Sequence, residues 1–151
     1  MAPSTKLVAL ALLLVSLHLL ASPCTAARHH AEYSVSSSDS ERGTPAVMTV
    51  NGFEEGEDGG GPAECDEKYH SDRDMLAALS TPWYAGGRRC NKLIRITSTR
   101  TGRSVEARVV DECDSRHGGC KRNIVDTSAA VWEALGLDTD IGEEAVTWSD
   151  V

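Results

Sequence analysis

The chain has 151 residues, 40% of them apolar, with 15 Lys and Arg against 23 Asp and Glu, giving a formal net charge of -8. That length allows one domain at most, and the acidic balance excludes a phosphate-backbone binder, which needs Lys and Arg to displace counterions. One Phe, three Tyr and three Trp leave the core to aliphatic residues, while 13 Gly and five Pro favour turns between short strands over long helices.

Lys6 is the only charge in the first 27 residues. Residues 7–20 are then almost wholly apolar, and the small residues Ala21-Ser22-Pro23-Cys24-Thr25-Ala26-Ala27 follow. This is the layout of a secretory signal, predicted over residues 1–27. Its apolar stretch is short of the roughly 20 residues that cross a bilayer. An extracellular protein without a membrane segment is expected. Residues 28–44, with Ser34, Ser36, Ser37, Ser38 and Ser40, are too polar to repay their ordering entropy and read as a flexible leader. The domain is expected over 45–151.

Within it, Ala46, Met48 and Val50 alternate with Val47, Thr49 and Asn51, which predicts a strand ending at Gly52. An acidic Gly-rich loop from Glu54 to Pro62 leads to Cys65, and residues 75–79 form a second short strand before Ser80-Thr81-Pro82. Residues 93–97 and 105–110 alternate at period two around Thr101-Gly102, the signature of a β-hairpin. A helix is predicted over 127–135, capped by Asp126 or Thr127 and stopped by Gly136. A last strand covers 145–151, with Val146 and Trp148 facing one way. Short strands and one helix suggest a small closed barrel.

After removal of Cys24 with the signal, Cys65, Cys90, Cys113 and Cys120 remain. In an oxidising compartment they read as two disulfides, with three pairings open. The separations of 25, 23 and 7 contain no C-x-x-C pair, so no metal is expected.

Two carboxylates are the chemical candidates. Counting by twos from Val105 places Ala107, Val109 and Asp111 on one face, so Asp111 ends an apolar row, either as a general acid or nucleophile or as an acceptor of backbone N–H groups at a bulge or strand end. Asp126 precedes the helix, where capping accounts for it. Together they could form a glycosidase pair, although spacing alone does not single them out. His70 and His117 lie near Asp72 and Asp114 and read as exposed loop residues rather than metal ligands. Trp83 and Tyr84, followed by Arg88 and Arg89 in a Gly-rich stretch, suit sugar stacking or a protein hot spot, or else Trp83 plugs one end of the barrel.

The blocks Glu64-Cys65-Asp66-Glu67-Lys68-Tyr69-His70-Ser71-Asp72, Ala78-Leu79-Ser80-Thr81, Val109-Val110-Asp111-Glu112-Cys113-Asp114-Ser115, Asn123-Ile124-Val125-Asp126, Ala130-Val131-Trp132 and Thr147-Trp148-Ser149-Asp150 resemble plant kiwellins and ripening-related proteins. The resemblance runs from about residue 45 to 151. It implies a mostly-β fold, a six-stranded double-psi β-barrel of the barwin and expansin type with one short helix, stabilised by disulfides. It also implies a secreted, apoplastic defence or ripening protein, some of whose relatives bind a chorismate mutase secreted by a fungus. Expansins carry a His-Phe-Asp block where this chain has Ile124-Val125-Asp126, so the carboxylate is kept and its neighbours differ. The reading is a monomeric, non-enzymatic protein without cofactor that binds a partner protein, such as a pathogen-secreted enzyme. The alternative is a barrel that binds or modifies cell-wall polysaccharide. Binding residues are expected among Trp83, Tyr84, Arg88, Arg89, Asp111 and Asp126. The expected disulfides are Cys65–Cys90, tying the Gly-rich loop to the hairpin, and Cys113–Cys120, closing a short loop around Gly118-Gly119.

Overall fold

Alternation of side chains builds β1 (Thr44–Val50), where Ala46 and Met48 turn inward and Thr49 turns out. The computed structural model describes residues 43–57 and 59–151, so the expected signal segment and nearly all of the expected leader lie outside the described residues. After β1 come β2 (Leu76–Ser80), a single helical turn α1 (Thr81–Tyr84), the hairpin of β3 (Leu93–Ser98) and β4 (Ser104–Cys113), then β5 (Ile124–Thr127), α2 (Ala129–Leu135) and β6 (Glu143–Asp150). The strands close into a barrel in the order β1-β5-β2-β4-β3-β6. Pairs β1–β5 and β2–β4 are parallel and the others antiparallel, with β6 returning to β1 through Thr44↔Trp148 and Ala46↔Val146. No helix among the described residues is long and apolar enough to cross a membrane.

The barrel is filled mainly by non-aromatic apolar side chains, among them Met48, Ile94, Ile96, Val109, Val125 and Val146. Each such side chain contributes about 1.5–3 kcal/mol on leaving water. Val131, Trp132 and Leu135 of α2 join this core, and Trp132 Nε1 donates to Thr49 O at 3.3 Å. A second cluster of Phe53, Ala63, Leu76, Ala78 and Val110 lies outside the sheet. It explains why all five residues of β2 are buried: the loop after β1 covers the strand's outer face.

The hairpin forms at the expected turn, with Gly102 at φ +69°, where a side chain would be strained. The helix differs from its predicted bounds. Thr127 belongs to β5, and α2 starts at Ala129 with Ser128 at its N-cap position. Asp126 is therefore a strand residue and not the helix cap. The Ser128 hydroxyl does not cap either, since it donates to Asp74 O at 2.7 Å and accepts from Leu76 N–H at 3.3 Å. Gly136 ends the helix as predicted, with φ +74° and its N–H on Glu133 O and Trp132 O.

Two disulfides, Cys65–Cys90 and Cys113–Cys120, close loops of 25 and 7 residues. Cys65 N–H also donates to Val110 O at 3.0 Å, so the covering loop is fastened by a hydrogen bond to β4 and covalently to the segment before β3.

Candidate functional site

One end of the barrel is organised around α1. Pro82 sits in the first turn, where a missing N–H costs nothing, and Ala85 ends the turn in the left-handed region at φ +57°. This turn places Trp83 edge-on to Trp148 of β6, with centroids 5.2 Å apart. Arg89 lies over the Trp148 ring at 5.1 Å. Its Nε and Nη2 donate to the two oxygens of Asp150 at 2.9 and 3.0 Å, and its Nη1 donates to Trp83 O at 2.6 Å. A bidentate pair with a ring beneath is the arrangement in which guanidinium is worth more than ammonium. The Arg89 hydrogen bonds hold the Asp150 carboxyl below its ordinary range.

Tyr84 does not belong to that exposed surface. It is buried, with its hydroxyl 3.3 Å from Cys90 Sγ and 3.9 Å from Cys65 Sγ. Burial pushes its phenol above the usual value, with the charges of Glu64, Glu112 and Asp111 adding to the effect. The helical turn is the physical reason: Trp83 and Tyr84 occupy successive positions and face different sides. Trp83 is half-buried, so it both closes the barrel end and leaves an edge to solvent. Arg88 is exposed and lines a groove of about 600 Å³ with Arg89, Lys92, Leu93, Asp150 and Val151.

The two carboxylates sit elsewhere, in a row across four strands: Thr49 pairs with Asp126, Asp126 with Ala78, and Ala78 with Asp111. A register shift between Ala77 and Ala78 makes Val110 the extra residue of β4. Val110 turns into the outer cluster, and Asp111 does not continue the inward row of Ala107 and Val109. Instead Asp111 Oδ1 accepts the N–H groups of Glu64 and Glu112, each at 2.8 Å. Burial raises its carboxyl above the ordinary value, against the lowering effect of these two bonds. Asp126 accepts from Thr49 Oγ1 at 2.6 Å and is also raised, first by burial and then by the Asp111 charge. It borders a groove of about 490 Å³ with Thr49, Val50, Ile124, Lys121 and Glu143, which Asp111 does not line.

The histidines part company. His117 is exposed and pairs with Asp114, whereas the side chain of His70 is only 12% exposed and lies 3.1 Å from Asp66 Oδ1. The expectation of an exposed His70 was wrong because its N–H also bonds Phe53 O, drawing it under the covering loop. Among the described residues no His, Cys, Asp and Glu group has metal-site geometry. Sequence reading missed Trp148, Asp150 and Thr49 as site residues. The period-two run of β6 put Trp148 on one face with Val146, the only signal that pointed to it.

The family model described as Kiwellin-1 matches residues 19–151. The chain belongs to the kiwellin family. Ripening-related protein 6 of Oryza sativa subsp. japonica is 78% identical over 111 residues, 74% of this kiwellin-family chain and 66% of the rice protein. Kiwellin of Actinidia chinensis var. chinensis is 57% identical over 115 residues, 70% of this chain and 54% of that protein. The chain thus spans between half and two thirds of these kiwellin-family relatives. Among solved structures, apo Clavibacter michiganensis expansin is similar at a TM-score of 0.55 and 27% identity, over 72% of this chain and 50% of the expansin. A mutant of that expansin in complex with cellohexaose is similar at a TM-score of 0.55 and 25% identity, over the same shares of both chains.

Proposed function

We propose that this chain is a secreted kiwellin-family protein, built on a double-psi β-barrel, that works by binding a partner protein at its α1 end. The observation that carries the reading is the cluster of Trp83, Trp148, Arg89 and Asp150. It offers the edge of half-buried Trp83 and the Arg89 guanidinium, groups of the types that dominate interface energetics, backed by the buried Trp148 and fixed by hydrogen bonds and by the Cys65–Cys90 link. Prior ordering lowers the entropy cost of docking. A pathogen-secreted enzyme is the partner that the family resemblance favours. Catalysis is supported less well, because Asp111 spends one oxygen on two backbone N–H groups and does not line the groove beside Asp126.

The test compares Trp83→Ala with Asp111→Asn and Asp126→Asn. Binding is measured against partners captured from infected apoplastic fluid, and hydrolysis as reducing ends released from cellulose, xylan and peptidoglycan. Trp83→Ala should cost more than about 1 kcal/mol in binding, with no reducing ends from any form. Hydrolysis abolished by the Asp variants, with binding intact in Trp83→Ala, would place the protein in the other class.

A second reading has one observation of its own. The Asp126 groove is open and polar, and an expansin mutant of similar fold is described in complex with cellohexaose. Saturable cello-oligosaccharide binding that Asp126→Asn weakens would support polysaccharide recognition on that face.

A further inference from the structure

The single turn of α1 separates two cationic grooves that are remote in sequence. On one side lie Arg88, Arg89 and Lys92 beside Ala85, Leu93 and Val151. On the other, Arg116 and Arg122 join Ser115, Thr81 and Pro82 around a groove of about 410 Å³. The second groove is fastened to the same turn. Ser115 N–H donates to Thr81 Oγ1 at 3.1 Å, and Ser80 Oγ donates to Arg122 O at 2.8 Å. The loop carrying Arg116 is closed by Cys113–Cys120, and Asp114 Oδ1 accepts Arg116 N–H at 2.9 Å.

The charges there are compensated only in part, by Asp150 in the first groove and by Glu112 near Arg116. Arg89 is committed to Asp150, and Arg116 stands 3.9 Å from Glu112, too far for a hydrogen bond. Among the described residues Arg88, Lys92 and Arg122 form no ion pair. On a chain of net charge -8, five cations set beside Asp150, Glu112 and Asp114 leave a local excess of positive charge at this end. The first groove is also apolar in part, since Leu93 and Val151 are 45% and 64% exposed.

Resting on the protein-partner reading above, we infer that the α1 end docks an acidic stretch of the partner. This stretch crosses Pro82 and Trp83, sets carboxylates in both grooves and lays an aliphatic side chain on Leu93 and Val151. The turn is about 6 Å long, so an extended segment of about five residues at roughly 3.3 Å each reaches from groove to groove. A polyuronate would supply the carboxylates but nothing for the exposed aliphatic patch, and the acidic remainder of the protein would repel a long polyanion. The groups used here, Arg116 and Arg122 above all, are separate from the carboxylate row.

The probe is a fluorescein-labelled synthetic peptide, Asp-Glu-Leu-Ile-Glu-Asp, with its Asn/Gln counterpart and pentagalacturonate as comparators, all read by anisotropy or its competition. Two double charge reversals are used, Arg88→Glu with Lys92→Glu and Arg116→Glu with Arg122→Glu, and circular dichroism checks that each folds. The acidic peptide should bind in preference to its neutral counterpart, and each double reversal should weaken it by about tenfold or more. That loss should shrink between about 50 and 300 mM salt. Equal binding of the neutral peptide, equal competition by pentagalacturonate, or indifference to the Arg116 and Arg122 reversal would overturn the inference. If the peptide fails in these ways while Trp83→Ala still abolishes partner capture, the two-groove assignment falls and the protein-partner reading stands. If Trp83→Ala leaves capture intact, that reading falls with it.

Discussion

Removing Arg100 should unsettle the barrel from the inside. Glu144 shares the inward face of β6 with Val146 and Trp148 and is only 3% exposed. Its Oε2 lies 2.7 Å from Arg100 Nη2, in the turn of the hairpin, where the arginine side chain is 58% exposed. Unit charges about 4 Å apart attract by roughly 4 kcal/mol at the effective dielectric of a protein surface. Breaking a fully buried pair costs about 3–5 kcal/mol, because the remaining charge is left without compensation. Here water already reaches the cation and can replace part of it, so Arg100→Ala should cost about 1.5–3 kcal/mol. For a domain of this size that is a fall in melting temperature of roughly 6–15 °C. Two further variants isolate the cause. Adding Glu144→Gln to Arg100→Ala should recover a large part of the loss, since a neutral amide is cheaper to bury than a carboxylate. Arg95→Ala breaks the exposed pair with Glu106 and should cost no more than about 0.5 kcal/mol. Urea and thermal unfolding provide the measurement. Equal effects of Arg100→Ala and Arg95→Ala, or no recovery in the double variant, would refute the argument.

Asp126→Asn should be at least as stable as the parent at pH 7. Burial raises the folded-state carboxyl above the ordinary value of about 3.9. The stability linked to its proton is therefore complete below that value and lost as pH rises through the folded pKa. Urea midpoints should show the advantage of the Asn variant shrinking as pH falls towards about 4, whereas a less stable variant at pH 7 would mean that the Thr49 contact outweighs burial. Replacing both Cys65 and Cys90 by Ala should cost about 3 kcal/mol, and replacing Cys113 and Cys120 about 2 kcal/mol, by loop-closure entropy. The reverse order in denaturant unfolding would show that the short loop is held more firmly than its length implies.

Period-two patterning made β1, the hairpin and β6 legible, because each presents one face to the core and the other to water, while β2, buried on both faces, was legible as a short apolar run. It failed at β5. Ile124-Val125-Asp126-Thr127 is buried at three of four positions and carries a carboxylate at the fourth, so alternation is absent and Thr127 reads as the start of a helix. It was silent at α1: β2 does end at Ser80, as expected, but Thr81 then opens a helical turn that no periodicity marks. That turn buries Tyr84 and leaves Trp83 half-buried, which no sequence pattern signalled. The Arg89 partner lies 61 residues away in Asp150, beyond the reach of any local pattern. The bulge at Val110, which packs with Phe53 and Ala63, bears out the reading of Asp111 as an acceptor of backbone N–H groups outside the inward row.

The ring order has a kinetic consequence. Of the six strand pairings, only β3 with β4 joins strands adjacent in sequence, and β1 waits for β5 and β6, some 77 to 104 residues later by the registers Val47↔Ile124 and Thr44↔Trp148. Folding must therefore close long loops before most of the sheet gains any hydrogen bonds, the condition that slows β proteins relative to helical ones. Until β6 arrives, β1 and β3 each present an unpaired edge, the kind of surface that recruits other chains. The hairpin can form early, while the α1 end, whose cluster needs Trp148 and Asp150 of β6, is among the last parts to be assembled.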